Sequence, residues 1–387
     1  MSFPTAFNIV RLFVKHPSYT QNLIKNKIKL YQRFQWIDQN INQQKSPLLP
    51  LVYRVSLTLK CNLRCKACME WGDVGWCKDE PREKVSNELE WDVLKKTIED
   101  VAYYHPSFIF SGGEPLLYSH FNELAELLKS KKCFATICTN GLLLDKFIKT
   151  ASDNPYLTFL VSLDGFKKEN DFLRGKGVFD RVINNIKLLK SLKRPPYIGI
   201  QFTIRPENVE TMHPFCEEMV KLNVDWILLN PFWFINPEQA KGYEAIMASS
   251  FNVIPKTHLG YLVPYSLNKE EFVKQFQKIR RQSWPIQISC YLKKPEDIYT
   301  YIEKPEALLY SKLCYKQWLR MDITSSGDVT PCSQFPDLTL GNLKEKSVSQ
   351  IWEGGSYGSF RKLIQEKMLP ICSKCNEYYL YDKRKNL

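Results

Sequence analysis

Apolar and polar positions along this chain follow two rhythms, which change over near Leu51. Residues 1–50 read as helical. Phe3, Phe7, Val10 and Val14 share one stripe, His16-Pro17 interrupts it, and Leu23, Ile24, Ile28 and Tyr31 continue among lysines. Residues 43–47, with Pro50, have the composition of a boundary. Beyond it, short apolar runs alternate with longer helical stretches. Strands are predicted at 53–59, 107–111, 134–139, 157–164, 198–205 and 225–230, with helices near 89–103, 119–131, 143–152, 178–192, 208–222 and 237–250. Each parallel strand pair needs a crossover connection, so this alternation predicts an α/β fold with a parallel sheet covered by helices. Six units suffice for an open, partial (β/α)6 TIM-like barrel.

Within the strands the period is two. Val55, Leu57 and Leu59 alternate with Ser56 and Thr58, Phe108 and Phe110 with Ser111, and Phe159, Val161 and Leu163 with Ser162 and Asp164. Ile200, Phe202 and Ile204 alternate likewise with Gln201, Thr203 and Arg205. The apolar set belongs under the helices and the polar set in the lumen. A packed barrel would fill its interior with Val, Ile and Leu, so a polar lumen implies a cavity that holds a ligand. Residues 231–313 are rich in Trp, Phe, Tyr and Pro and fit neither the barrel rhythm nor a linker; they are read as a substrate wall. A hairpin is predicted from Arg320 to Cys332, turning at Ser325-Ser326-Gly327-Asp328. The expected division is a helical extension (1–50), a barrel (51–250), a bridging region (251–313) and a C-terminal domain (314–387).

Composition adds charge and sulfur. The 387 residues carry a formal charge of +13, and residues 1–50 hold seven Lys and Arg against the single Asp38. A basic amphipathic surface touching an anionic membrane through residues 1–35 is one reading of that excess, and a helical pair packed on the barrel is the other. No run of 18 apolar residues and no signal-peptide pattern occurs, so a cytoplasmic setting is expected, and the twelve cysteines point to metal or redox chemistry before disulfides.

The first strand runs into Cys61, Cys65 and Cys68, a C-x3-C-x2-C run. Three thiolates can hold three corners of a cubane iron–sulfur cluster, whereas tetrahedral zinc needs a fourth ligand and the nearest histidine in sequence is His105. At the C-terminus, Cys314 and Cys332 bracket the hairpin and Cys372 and Cys375 form a C-x2-C pair, enough for either a zinc site or a fully ligated 4Fe-4S cluster.

The first run, together with Ser111-Gly112-Gly113-Glu114-Pro115, Thr139-Asn140-Gly141 and Ser162-Leu163-Asp164-Gly165, each at a strand end, resembles the signature of the radical S-adenosylmethionine superfamily. One departure is Ala67, where the family often has an aromatic residue. The C-terminal spacing, C-x12-G-x4-C followed by C-x2-C, resembles the twitch form of the SPASM domain; the longer form would have a cysteine where Tyr381 stands. The resemblance implies two 4Fe-4S clusters. One open iron would chelate S-adenosylmethionine, whose reductive cleavage gives a 5′-deoxyadenosyl radical, and the second, auxiliary cluster would transfer electrons. It further implies that Gly112 and Gly113 approach the methionine moiety and that Glu114 meets its ammonium. Asn140, Ser162, Asp164, Gln201 and Thr203 become cofactor contacts, and Arg174 a partner for its carboxylate.

Of the remaining cysteines, Cys138 faces the lumen by parity, Cys77 lies in the loop after the first cysteine cluster and Cys290 in the substrate wall. Any of them could return a hydrogen atom to a substrate radical. The function expected is therefore C–H abstraction followed by oxidation or cross-linking of a substrate, with a ribosomally made peptide ahead of a small molecule or lipid. The alternative is redox-neutral epimerisation through a spare thiol, on a peptide, carbohydrate or lipid. An electron donor such as flavodoxin or ferredoxin is implied, and a nucleic-acid partner is not expected.

Overall fold

The computed structural model describes residues 6–41, 48–66 and 68–383. Phe3, Ala67, the 43–47 boundary and the side chain of Phe7 lie outside the described residues. Six parallel strands follow one another in space as in sequence: β1 (Val52–Thr58), β2 (Ser107–Gly112), β3 (Ala135–Thr139), β4 (Leu157–Ser162), β5 (Tyr197–Ile204) and β6 (Trp226–Pro231). Val55, Phe110, Val161, Ile200 and Phe202, one from each apolar alternation or its repeat, are fully buried beneath the helices. The α/β class and the parallel barrel sheet stand.

The sheet extends beyond six strands at both edges. Residues Gln287–Cys290 form β7, paired parallel with β6 in the register Leu229↔Cys290. The expectation that 231–313 stands outside the barrel rhythm is thus corrected: a four-residue strand, Gln-Ile-Ser-Cys, is too short for its alternation to register as a pattern. At the other edge, β8 (Arg320–Ile323) pairs parallel with β1 and turns through Gly327 (φ +86°) into antiparallel β9 (Asp328–Thr330), which β10 (Gly341–Asn342) joins. The C-terminal hairpin therefore continues the barrel sheet, in the order β10-β9-β8-β1-β2-β3-β4-β5-β6-β7.

The N-terminal residues form α1 (Ala6–Lys15) and α2 (Pro17–Asn40), broken at His16 as proline requires. Helix α2 crosses the N-terminal ends of the strands. Tyr19 stacks on Tyr197 at 4.0 Å, Asn26 Nδ2 donates to Ser107 Oγ at 2.9 Å, and Arg33 donates to the carbonyls of Leu48, Leu49 and Trp318. The pair packs on the barrel as its floor. Among the described residues no helix is long and apolar enough to cross a membrane.

Candidate cofactor site and lumen

The cysteine loop is pinned by backbone. A Cβ on Gly112 would lie 2.2 Å from Thr58 O, and one on Gly113 2.2 Å from Lys60 O, so only glycine lets the end of β2 meet the chain entering Cys61. Gly113 N–H and Glu114 N–H donate to those same two carbonyls, each at 2.8 Å. The Cys61 sulfur accepts from Leu63 N–H at 3.5 Å and the Cys68 sulfur from Trp71 N–H at 3.4 Å. Burial pushes the free thiol of Cys61 up to about 11 and that of Cys68 up to about 12. Thiolates here would need a compensating cation, which an iron cluster supplies.

Cys61, Cys65 and Cys68 open onto one cavity of about 590 Å³ that fills the barrel down to the floor. Gly112, Gly113, Asn140, Ser162, Asp164, Arg174, Gln201 and Thr203 all line it. Asp164 and Arg174 pair with each other at 2.6 Å, and Asp164 also accepts from Thr203 N–H at 2.8 Å. Arg174 Nη1 stands 4.0 Å from the Cys65 sulfur, while its Nε is buried without a partner. An unpaired guanidinium donor beside the three thiols suits a carboxylate bound there.

Several expectations are corrected. Glu114 is fully buried and absent from the lining; its carboxylate accepts from Leu116 N–H at 3.0 Å, Thr139 Oγ1 at 2.7 Å and Asn140 N–H at 2.7 Å, and so ties the ends of β2 and β3 together. Arg205 stacks on Phe232 and pairs with Glu207 outside the lining. Cys77 packs with Leu59 and Val85, away from the cavity. Cys290 sits at the end of β7 and likewise does not line it. Cys138 does, and burial pushes its thiol up to about 11 despite the nearby Arg54.

Cys314, Cys332, Cys372 and Cys375 ring a second, small cavity of about 30 Å³ with an apolar lining. The Cys375 sulfur accepts from Tyr378 N–H at 3.3 Å, and buried Lys316 donates to Asp322 at 2.8 Å and to Pro331 O at 2.7 Å. Among the described residues no three His, Cys, Asp or Glu side chains are grouped to hold a single metal ion. The four thiols surround a space instead of meeting at a point, which suits a cluster of several atoms. Trp233 lines both cavities, and Tyr261 beside it, 4.7 Å between ring centroids, bonds to Met69 and Gln334, one from each cysteine loop.

Sequence reasoning missed Arg54, Glu377, Trp233, Asn376 and the floor residues Tyr19, Asn22 and Asn26, all of which line the lumen. Parity with Ser56 and Thr58 could have found Arg54. The spacing of residues 19, 22, 23, 26 and 30 could have found the inward face of α2.

A three-thiol loop at the mouth of a hollow parallel barrel, with a four-thiol domain beside it, defines an iron–sulfur enzyme. Residues 55–219 match the radical SAM superfamily and residues 314–376 the SPASM iron-sulfur cluster-binding domain, so the chain belongs to the radical SAM superfamily, in its SPASM/twitch subgroup. These domains imply a 4Fe-4S cluster, S-adenosylmethionine and auxiliary iron–sulfur binding. The chain is 34% identical to the Fe-coproporphyrin III synthase of Methanosarcina barkeri over 40% of its own length and 37% of that protein. It is 22% identical to the tungsten-containing aldehyde ferredoxin oxidoreductase cofactor-modifying protein of Pyrococcus furiosus, over 83% of its length and 86% of that protein. Its fold is shared with Streptococcus suis SuiB bound to the precursor peptide SuiA (TM-score 0.59, 18% identity, 88% of this chain and 71% of that one).

Proposed function

We propose that Cys61, Cys65 and Cys68 hold a 4Fe-4S cluster, that S-adenosylmethionine binds in the lumen above Cys138, and that Cys314, Cys332, Cys372 and Cys375 hold a second 4Fe-4S cluster. Held by those three cysteines, a reduced cluster with S-adenosylmethionine would supply a 5′-deoxyadenosyl radical able to take hydrogen from a substrate C–H bond, and a cluster held by the four C-terminal cysteines would supply a one-electron acceptor. The chain's own residues bind and orient. Arg174 Nε is the donor for the cofactor carboxylate, and Asp164 holds that guanidinium in place. Asn140, Ser162, Gln201 and Thr203 offer amide and hydroxyl groups to the nucleoside. Trp233, as a wall common to both cavities, is the observation that carries the oxidative reading, because a substrate in the lumen and the four-thiol site then touch the same side chain.

A ribosomally made peptide is the substrate class. The fold shared with SuiB, which binds a precursor peptide, supports it, as does a lumen whose volume exceeds that of the cofactor alone. The electron donor is of the flavodoxin or ferredoxin type. One observation favours a second reading, redox-neutral epimerisation: Cys138 faces the lumen with its thiol held in the protonated form that donates hydrogen.

Reconstituted, reduced protein is expected to form 5′-deoxyadenosine from S-adenosylmethionine, and Cys65→Ala to abolish it; turnover by the variant would refute the proposal. Mass spectrometry of the product in heavy water separates the two readings. Oxidation removes two hydrogens, whereas epimerisation exchanges one hydrogen for deuterium and changes nothing else.

A further inference from the structure

The basic excess of the N-terminus plays no part in the chemistry above, and the structure shows where it lies. Helix α2 has two faces. Its inner face, with Tyr19, Asn22 and Asn26, lines the lumen. Its outer face carries Ile24, Ile28 and Tyr31, and α1 carries Val10, Phe13 and Val14, each 41 to 77% exposed. Val10 and Val14 on α1, and Ile24, Ile28 and Tyr31 on α2, recur at helical spacing, so each set runs as one exposed apolar stripe along its helix.

Charge identifies what that surface meets. Residues 6–37 contain six Lys and Arg and no acidic residue; Arg33 is buried and Lys27 lines the lumen, which leaves Arg11, Lys15, Lys25 and Lys29 toward the surface. Where their hydrogen-bond partners are defined, these are neutral: Arg11 donates to Pro285 O at 3.0 Å, Lys15 to Asn223 Oδ1 at 2.6 Å and Lys29 to Tyr104 O at 2.9 Å. Carbonyl and amide oxygens anchor these chains without cancelling their charge, and the Asp225 carboxylate that acts on Lys15 is itself shared with His16 and Lys190. Val, Ile, Phe and Tyr set singly among lysines and amides on a helical surface is the composition of helices that lie in a lipid interface.

We propose that the outer face of α1 and α2 seats on an anionic bilayer. The bilayer then lies under the barrel floor, and the three-cysteine loop, at the opposite ends of the strands, opens away from it. The attachment combines shallow apolar insertion with screened charge attraction, so it is reversible and salt-sensitive.

Flotation of the reconstituted full chain with vesicles tests this directly. The protein is expected to float with phosphatidylcholine vesicles containing phosphatidylserine, to stay at the bottom with phosphatidylcholine alone, and to be released by high salt. Replacing Val10, Phe13 and Val14 by serine, and separately Lys25→Glu, should each lower the floated fraction about tenfold. Iron content and 5′-deoxyadenosine formation should be unchanged, because these side chains point into solvent far from the lumen. Absence of flotation with anionic vesicles, or flotation that neither substitution weakens, overturns the proposal. So does a dimer in light scattering that the serine variant dissociates, since the face would then be covered by a second copy of the chain.

Discussion

Asp225 shows how a single residue holds the floor to the barrel. Its carboxylate lies 3.2 Å from His16 Nε2 between the two N-terminal helices, pairs with Lys190, and accepts from Ile198 N–H at 2.8 Å at the start of β5. Burial alone would raise this carboxyl, but the His16 hydrogen bond and the Lys190 charge outweigh it and hold the group below its ordinary value. A depressed folded-state pKa means stability that is fully present above the unfolded pKa and lost as pH falls through the folded one. Asp225→Asn leaves Lys190 buried without its counter-charge and is expected to cost about 2 kcal/mol in urea unfolding at pH 7. The penalty should narrow only below about pH 4, where the carboxyl of the unfolded parent chain takes up its proton while the folded one is still ionised. Faster proteolysis near His16 should accompany it.

At the level of elements, the ends of β1 and β2 hold the three-thiol loop. Gly113→Ala would drive a methyl into Lys60 O and Leu59 O, both backbone atoms with no side chain to rotate away. The strand ends must then part, displacing Cys61. Reconstituted Gly113→Ala is expected to bind about four irons in place of about eight, keeping the four-thiol site, as iron analysis and electron paramagnetic resonance would register. Eight irons in this variant would contradict the packing argument. How far such features can be read from residues alone depends on how local their cause is. Alternation of apolar and polar residues is local, so the six barrel strands and the polar positions of the lumen are readable from it. Cys138 was correctly faced for the same reason. Ile109, Leu160, Trp226 and Leu228, which also line the lumen, make it more apolar than the alternation predicts. β7 is too short to alternate. Glu114 has the motif of a cofactor contact, but its three hydrogen-bond donors come from Leu116, Thr139 and Asn140, and two of them lie a strand away. Arg54 is at a legible parity, yet its ion pair with Glu377 joins residues 323 positions apart, and no pattern within one strand announces it.

Across the whole molecule, the two thiol sites share one sheet and one wall. β8 pairs with β1, and Glu377, just after Cys375, binds both Arg54 of β1 and Arg320 of β8. The second site is thereby fixed against the lumen, although none of its four cysteines lines the lumen. Among the described residues the three-thiol loop, in turn, reaches residues 314–376 through Tyr261, which bonds both Met69 and Gln334, but it is held by Thr58, Lys60, Gly112 and Gly113. Binding and cleaving S-adenosylmethionine should therefore be separable from whatever the four-thiol site does. Cys372→Ala, with Cys372→Ser as a gentler companion, is expected to lower iron from about eight to about four while 5′-deoxyadenosine still forms. Under the oxidative reading, substrate should then be consumed without the product that has lost two hydrogens. If 5′-deoxyadenosine formation disappears although the first site keeps its irons, electrons enter through the four-thiol site and not out through it, and the direction assigned across Trp233 is reversed.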